Sequence, residues 1–263
     1  MRRAFFLWFL SGFTALSFFI FTGCATSETG RYQLGLIGGV TPAQEAELGL
    51  SAFDQLKKEV PISKNAEYNA LVSKVGARIA EQAKSKLPDA KWEFVVFDSP
   101  EANAFCLPGG KIGVYTGILP FTKTEAGLAA VIGHEVAHAS NRHGAERMGE
   151  AAAINKVTSA AGGYVSDNYK IVADTAFGIA GKGAVLAFSR THESEADHIG
   201  LLYMARAGYN PEEAVKFWER FAAASGGKSE GIKWTRTHPL TADRIADIKK
   251  WLPEAKAAYK PAK

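Results

Sequence analysis

The stretch VIGHEVAH, residues 131–138, limits the fold of this chain more than any other feature of its sequence. Each residue of a helix advances about 100°, so His134 and His138 stand about 40° apart, one turn above the other. Two imidazoles on one face can reach a single cation, and Glu135 between them points to the side where a water on that cation would lie. Two ligands do not complete a zinc shell. A catalytic zinc takes three protein ligands and keeps a position for water, so the fold has to deliver a further side chain from a distant segment. A third histidine lies nearby, but His143 is five residues past His138, roughly 140° around a continuous helix, and is expected to face away as a helix-end histidine.

The segment SRTHESEAD, residues 189–197, is the richest source of the missing ligand. On a helix Glu193 and Asp197 are one turn apart and share a face with Arg190, while Glu195 lies about 200° from Glu193, on the far side. One consistent arrangement has Glu193 on the metal, Asp197 accepting the outer N–H of a ligand histidine and Arg190 neutralising the carboxylates. Taken alone, the segment also reads as a solvated charged helix.

Three blocks, NAFCLPGGKIGVYTGIL, AAVIGHEVAHASNRH and SRTHESEAD, with THPLTADRI as a weaker fourth, resemble the M48 zinc metallopeptidases, including periplasmic lipoprotein members. The likeness runs from about residue 45 to 252. It implies an α+β, mainly α, zincin-like domain with a small antiparallel sheet and an active-site helix. In the family pattern R-x-x-E-x-x-A-D the first glutamate is the third ligand, here Glu193, with Arg190 and Asp197 also matching. The longer pattern of the metzincins fails, because Asn141 and Gly144 occupy the positions where a glycine and a histidine are required. The resemblance implies two further features. Lys111, Ile112, Gly113, Val114 and Tyr115 would form an edge strand that pairs with extended substrate, a plain core strand being the alternative. His238, with Arg244 behind it, would lie near the metal and either steady the tetrahedral intermediate or block the open site at rest.

Around these blocks, TPAQEAELGLSAFDQLKKEV carries a threonine cap followed by proline and predicts a helix ending before Pro61. A second helix puts Tyr68, Leu71, Val72, Val75 and Ile79 on one face. KWEFVVFD and KIGVYTG, the latter after the turn LPGG, predict strands, and TKTEAGLAAVIGHEVAHASNRHGAERM predicts more than twenty residues of helix capped by Thr122 or Thr124. Residues 150–188 are dominated by small side chains and read either as a mobile lid over the cleft or as a loosely packed helical hairpin. With 263 residues, 47% of them hydrophobic, the chain can build one full core. That domain is placed at 42–255, followed by a short tail at 256–263.

The N-terminus has two arginines, an apolar run and then Gly23-Cys24 before polar residues, the layout of a secretory signal. The junction resembles a bacterial lipobox, which makes residues 1–23 a signal peptide, Cys24 a lipidation site and 24–41 a tether; an uncleaved anchor is the other reading. Ala25 after the cysteine resembles outer-membrane sorting in Gram-negative cells. If Cys24 carries lipid, Cys106 has no intrachain partner and reads as a buried small hydrophobe. Without residues 1–23, which hold Arg2 and Arg3 and no acid, Lys+Arg fall from 31 to 29 against 27 Asp+Glu. So even a charge balance leaves no electrostatic case for nucleic acid.

The expectation is thus an endopeptidase with one Zn2+ held by His134, His138 and Glu193, and with Glu135 as general base and then acid. It would be lipid-anchored at the outer membrane, facing the periplasm. Its clients would be extended or misfolded exported polypeptides, in envelope quality control, with outer-membrane assembly factors as further partners. The rival readings are a chaperone or assembly factor that uses the same cleft with latent proteolysis, and a structural lipoprotein whose motif is accidental.

Overall fold

Thr41 opens the first helix with a capping box: its side chain accepts from the Gln44 amide, and the Gln44 side chain accepts in turn from the Thr41 amide. Helix α1, Pro42–Glu59, follows, and Asn65 caps α2, Ala66–Ala83, by accepting from the Tyr68 amide. The computed structural model describes residues 24–26, 29–34, 40–150, 187–224 and 233–261. Two short antiparallel strands, β1 (Cys24–Thr26) and β2 (Tyr32–Leu34), precede α1, so the expected tether contains a hairpin. The proposed signal peptide and most of the proposed lid, 151–186, lie outside the described residues.

Strands β3 (Glu93–Phe97), β4 (Ala104–Leu107) and β5 (Lys111–Tyr115) form one sheet in the order β3-β5-β4. It is mixed and not purely antiparallel as expected: β5 pairs antiparallel with β4 across the Pro108–Gly110 turn, but parallel with β3. The order also corrects the expected peptide rail. Residues Lys111, Ile112, Gly113, Val114 and Tyr115 form the central strand, buried throughout, with backbone pairing on both sides. Nor does Gly113 leave room for a substrate backbone, since the Phe105 ring packs where a side chain would start. The edge on this side belongs to β4.

One face of the sheet carries Phe97, Phe105 and Tyr115, which pack with Phe53 of α1 through edge and tilted ring contacts. The other face places Val96, Ile112 and Val114 in the main core, where α2 contributes Val72, Val75 and Ile79, all fully buried. Tyr68, expected on that buried face, is 37% exposed at the first turn.

After a short helix α3 (Leu119–Thr122), Thr124 caps α4, Glu125–Ser140. Nearly every α4 side chain is buried, because α2, α5 (Arg190–Arg206) and α6 (Glu212–Ala224) surround it. The predicted single long helix is broken: α4 ends at Ser140, Arg142 takes a left-handed conformation with φ 54°, and helix resumes at 143–150. Helices α7 (Lys233–Thr237) and α8 (Ala242–Ala258) close the fold, with α8 running past the expected boundary at 255. Among the described residues no helix is long and apolar enough to cross a membrane.

Helices α4 and α5 touch backbone to backbone. A Cβ on Gly133 would lie 2.8 Å from the Gly200 carbonyl oxygen, and one on Gly200 would lie 2.7 Å from the His134 amide nitrogen. Gly200→Ala is therefore expected to destabilise the protein by about 1–3 kcal/mol through overpacking, seen as a melting temperature lower by several degrees. A wild-type melting temperature in this variant would contradict the close crossing.

Candidate metal centre

That crossing sets the His134–His138 face of α4 against the first two turns of α5, which carry Glu193 and Asp197. His134 Nε2 and His138 Nε2 are 3.0 Å apart. His238, just beyond α7, brings its Nδ1 to 3.2 Å from His134 Nε2 and 2.9 Å from Glu193 Oε1. Glu193 oxygens lie 3.5 Å from His134 Nε2 and 3.4 Å from His138 Nε2. All four residues are buried, and one ligand atom from each lies within 4.8 Å of the others.

This donor set fits zinc. Arms of about 2.05 Å in a tetrahedron imply edges of about 3.3 Å, and the four separations above among His134 Nε2, His138 Nε2, His238 Nδ1 and Glu193 Oε1 run from 2.9 to 3.4 Å. Three imidazole nitrogens facing one another so closely cannot all find hydrogen-bond partners among themselves. A cation at their centre would use every lone pair.

The surrounding charges preserve the donor forms. Arg244 of α8 places Nη1 2.7 Å from Glu193 Oε2, and it grips Asp197 with Nε at 2.7 Å and Nη2 at 2.8 Å. Burial alone would push the Glu193 carboxyl up, but Arg244 and the histidines outweigh it and hold it well below the usual carboxylate range. Burial acts likewise on Asp197 and is again overcome by Arg244, leaving its pKa lowered. Asp197 Oδ1 lies 2.9 Å from His134 Nδ1, close enough to hold the outer ring nitrogen though not in line for a hydrogen bond. Arg190, expected to neutralise these carboxylates, instead opens α5 on its exposed first turn, and Arg244 takes that position.

Glu135 lies on the opposite side of the cluster. Its Oε1 accepts a 2.7 Å hydrogen bond from the Trp234 indole N–H and lies 3.5 Å from His238 Nε2. Burial raises its pKa despite the nearby imidazoles. Trp234 stacks on Trp218, which in turn lies under the Arg244 guanidinium. Glu135, His138, Phe188 and His238 line a groove together with Asn103–Pro108, which includes β4 and the half-buried Cys106.

His143 is not the bystander expected. The left-handed turn at Arg142 ends the helix on which the 140° reckoning depended and folds His143 back, fully buried, with Nδ1 2.9 Å from His138 Nδ1. Burial lowers its pKa to about 4, so the ring is neutral near pH 7. Its Nε2 lies 3.0 Å from Glu195, which is buried as well and so not on a solvent-facing side of α5. Sequence reasoning also missed Trp234, Gly133 and Gly200. The i, i+3 and i, i+4 face rules contain no signal for any of them.

The sequence model for "Peptidase family M48" matches residues 66–252. Among curated proteins, the chain is similar to "Mitochondrial metalloendopeptidase OMA1" of Schizosaccharomyces pombe, with 41% identity across 70% of this chain and 53% of that protein. The Saccharomyces cerevisiae protein of the same name is 34% identical across 66% of this chain and 51% of its own length. "Beta-barrel assembly-enhancing protease" of Escherichia coli is 26% identical across 78% and 43%. The chain thus spans about half the length of the curated relatives it matches. These matches overturn the expected outer-membrane, periplasm-facing location, since the relatives of higher identity bear a mitochondrial name and the bacterial protease matches at lower identity. Homology over most of the folded domain and a buried donor set suited to one zinc ion agree, and the chain belongs to the M48 metallopeptidases.

Proposed function

We propose that this protein is a zinc endopeptidase that cleaves extended or misfolded polypeptide segments as a quality-control activity. The observation that carries the reading is the buried His134–His138–Glu193–His238 cluster with Glu135 beside it. In this reading His134, His138 and Glu193 hold the metal. Bound zinc would polarise the scissile carbonyl and lower the pKa of a water to about 7. Glu135 would serve as the general base for the attacking water and then as the acid that protonates the leaving amine. Burial raises its pKa, which favours taking up a proton, and the Trp234 N–H holds the carboxylate in place. The substrate backbone lies along β4, whose free edge lines the groove beside Glu135.

His238 defines the state of this site. Its Nδ1 stands inside the donor set, where it would take the position that a catalytic site leaves for water. We read the arrangement as a closed resting form that opens when His238 withdraws. Outer-membrane assembly factors as partners have support only from the name of the bacterial relatives. Lipid on Cys24 is supported by the N-terminal sequence, and an intact mass that retains Met1 would exclude it.

Glu135→Gln is expected to keep one zinc per chain by elemental analysis and to lose casein hydrolysis by at least about 100-fold. Hydrolysis within tenfold of wild type would sink the enzyme assignment, and a full cellular function in this variant would favour the chaperone reading. His238→Ala should weaken zinc binding and raise kcat/KM for a short peptide several-fold. Unchanged kinetics would show that His238 does not block the site.

A further inference from the structure

We propose that Arg31, at the turn of the N-terminal hairpin, is a positioning residue for His138, acting through Glu195 and His143. This rests on the reading of His138 as a zinc ligand. His138 turns Nε2 into the cluster, so that nitrogen needs a free lone pair and the ring proton belongs on Nδ1. The Nδ1–H meets His143 Nδ1 at 2.9 Å, which must then be the acceptor, leaving the His143 proton on Nε2. His143 Nε2–H in turn donates across 3.0 Å to Glu195 Oε2. Each tautomer dictates the next, and the series has one direction only while it ends on an acceptor.

Arg31 secures that end. Its Nε donates to Glu195 Oε2 at 2.6 Å, and the Thr29 hydroxyl donates to Oε1 at 2.7 Å. The same guanidinium forks onto Glu146 through Nη1 at 2.9 Å and Nη2 at 3.0 Å. Glu146 accepts from His192 Nε2 at 2.8 Å, and the His192 ring stacks on His143 at 4.6 Å between centroids. Arg31 therefore holds His143 twice, through the acceptor at its edge and through the ring on its face. Without the guanidinium, Glu195 and Glu146 would lose the cation that bridges them. A lysine restores the charge but cannot span both partners in the same way.

The test uses the full chain and compares wild type, Arg31→Met, Arg31→Lys, His143→Phe and the Arg31→Met/His143→Phe double variant. Zinc dissociation constants come from chelator competition, and the ligand field is read from visible absorption after cobalt substitution. Arg31→Met is expected to weaken zinc about 5- to 20-fold, less than or equal to the loss usual for a direct partner of a ligand histidine. Arg31→Lys should fall between it and wild type, and both should alter the cobalt spectrum. The double variant should bind zinc no more weakly than His143→Phe alone, because both changes cut one path. Affinity within twofold of wild type in Arg31→Met, or independent losses that multiply in the double variant, would overturn the proposal. If Arg31→Met does not fold, Arg31→Lys decides: a loss of about threefold or more with a changed cobalt spectrum supports the path, and wild-type values refute it. A wild-type chain that binds no stoichiometric zinc would remove both this proposal and the site reading, whereas tight wild-type zinc with an inert Arg31 would remove this one alone.

Discussion

The backbone contact between Gly133 and Gly200 fixes the geometry of everything chemical in this protein. Ordinary helix pairs stand 8–10 Å apart because side chains separate them. Here two glycines let α4 and α5 approach until a Cβ on either would collide with the other backbone. Short side chains then suffice: Glu193 reaches the His134–His138 pair, and Asp197 reaches the outer nitrogen of His134. With a wider gap the same residues would leave the carboxylates short of the imidazoles.

Bringing acids into a dry interface has an electrostatic cost, and Arg244 offsets it. One guanidinium contacts both Glu193 and Asp197, and its flat face packs over the Trp218 ring. The carboxylates are thereby held in the ionised form, which Glu193 needs if it is to bind a metal. Trp218 also stacks on Trp234, whose N–H holds Glu135, so the carboxylates on one side of the cluster and the proposed base on the other share one aromatic stack. His238 follows Trp234 within the same short C-terminal stretch, and its amide donates to the Trp234 carbonyl. A movement that frees His238 would therefore also be felt at Glu135.

Much of the architecture was legible because it follows from local rules. Thr41, Asn65 and Thr124 cap the helices they precede, through side-chain oxygens that accept a backbone N–H of the first turn, which short polar side chains in an extended conformation can do. Periodicity placed Val72, Val75 and Ile79 in the core. It does not specify strand order: β5 lies between β3, which it pairs in parallel, and its hairpin partner β4, and side-chain alternation is the same for a central strand and an edge. The edge position that the family resemblance implies for Lys111–Tyr115 therefore has no local signal to correct it.

By itself the sequence determined that one helix carries two imidazoles a turn apart with Glu135 between them, and that another carries Glu193 and Asp197 on one face. These are consequences of a repeat of 3.6 residues, which holds wherever the helix lies. Only the tertiary structure decided which groups complete the cluster and which support it. His143 became a partner of His138 because Arg142 breaks the helix with a left-handed residue, and Arg244 took the place expected of Arg190 because α8 packs on α5 while Arg190 points outward. Arg31, Glu195 and Glu146 meet across more than a hundred residues of chain, where no periodicity reaches and only packing can bring charges together.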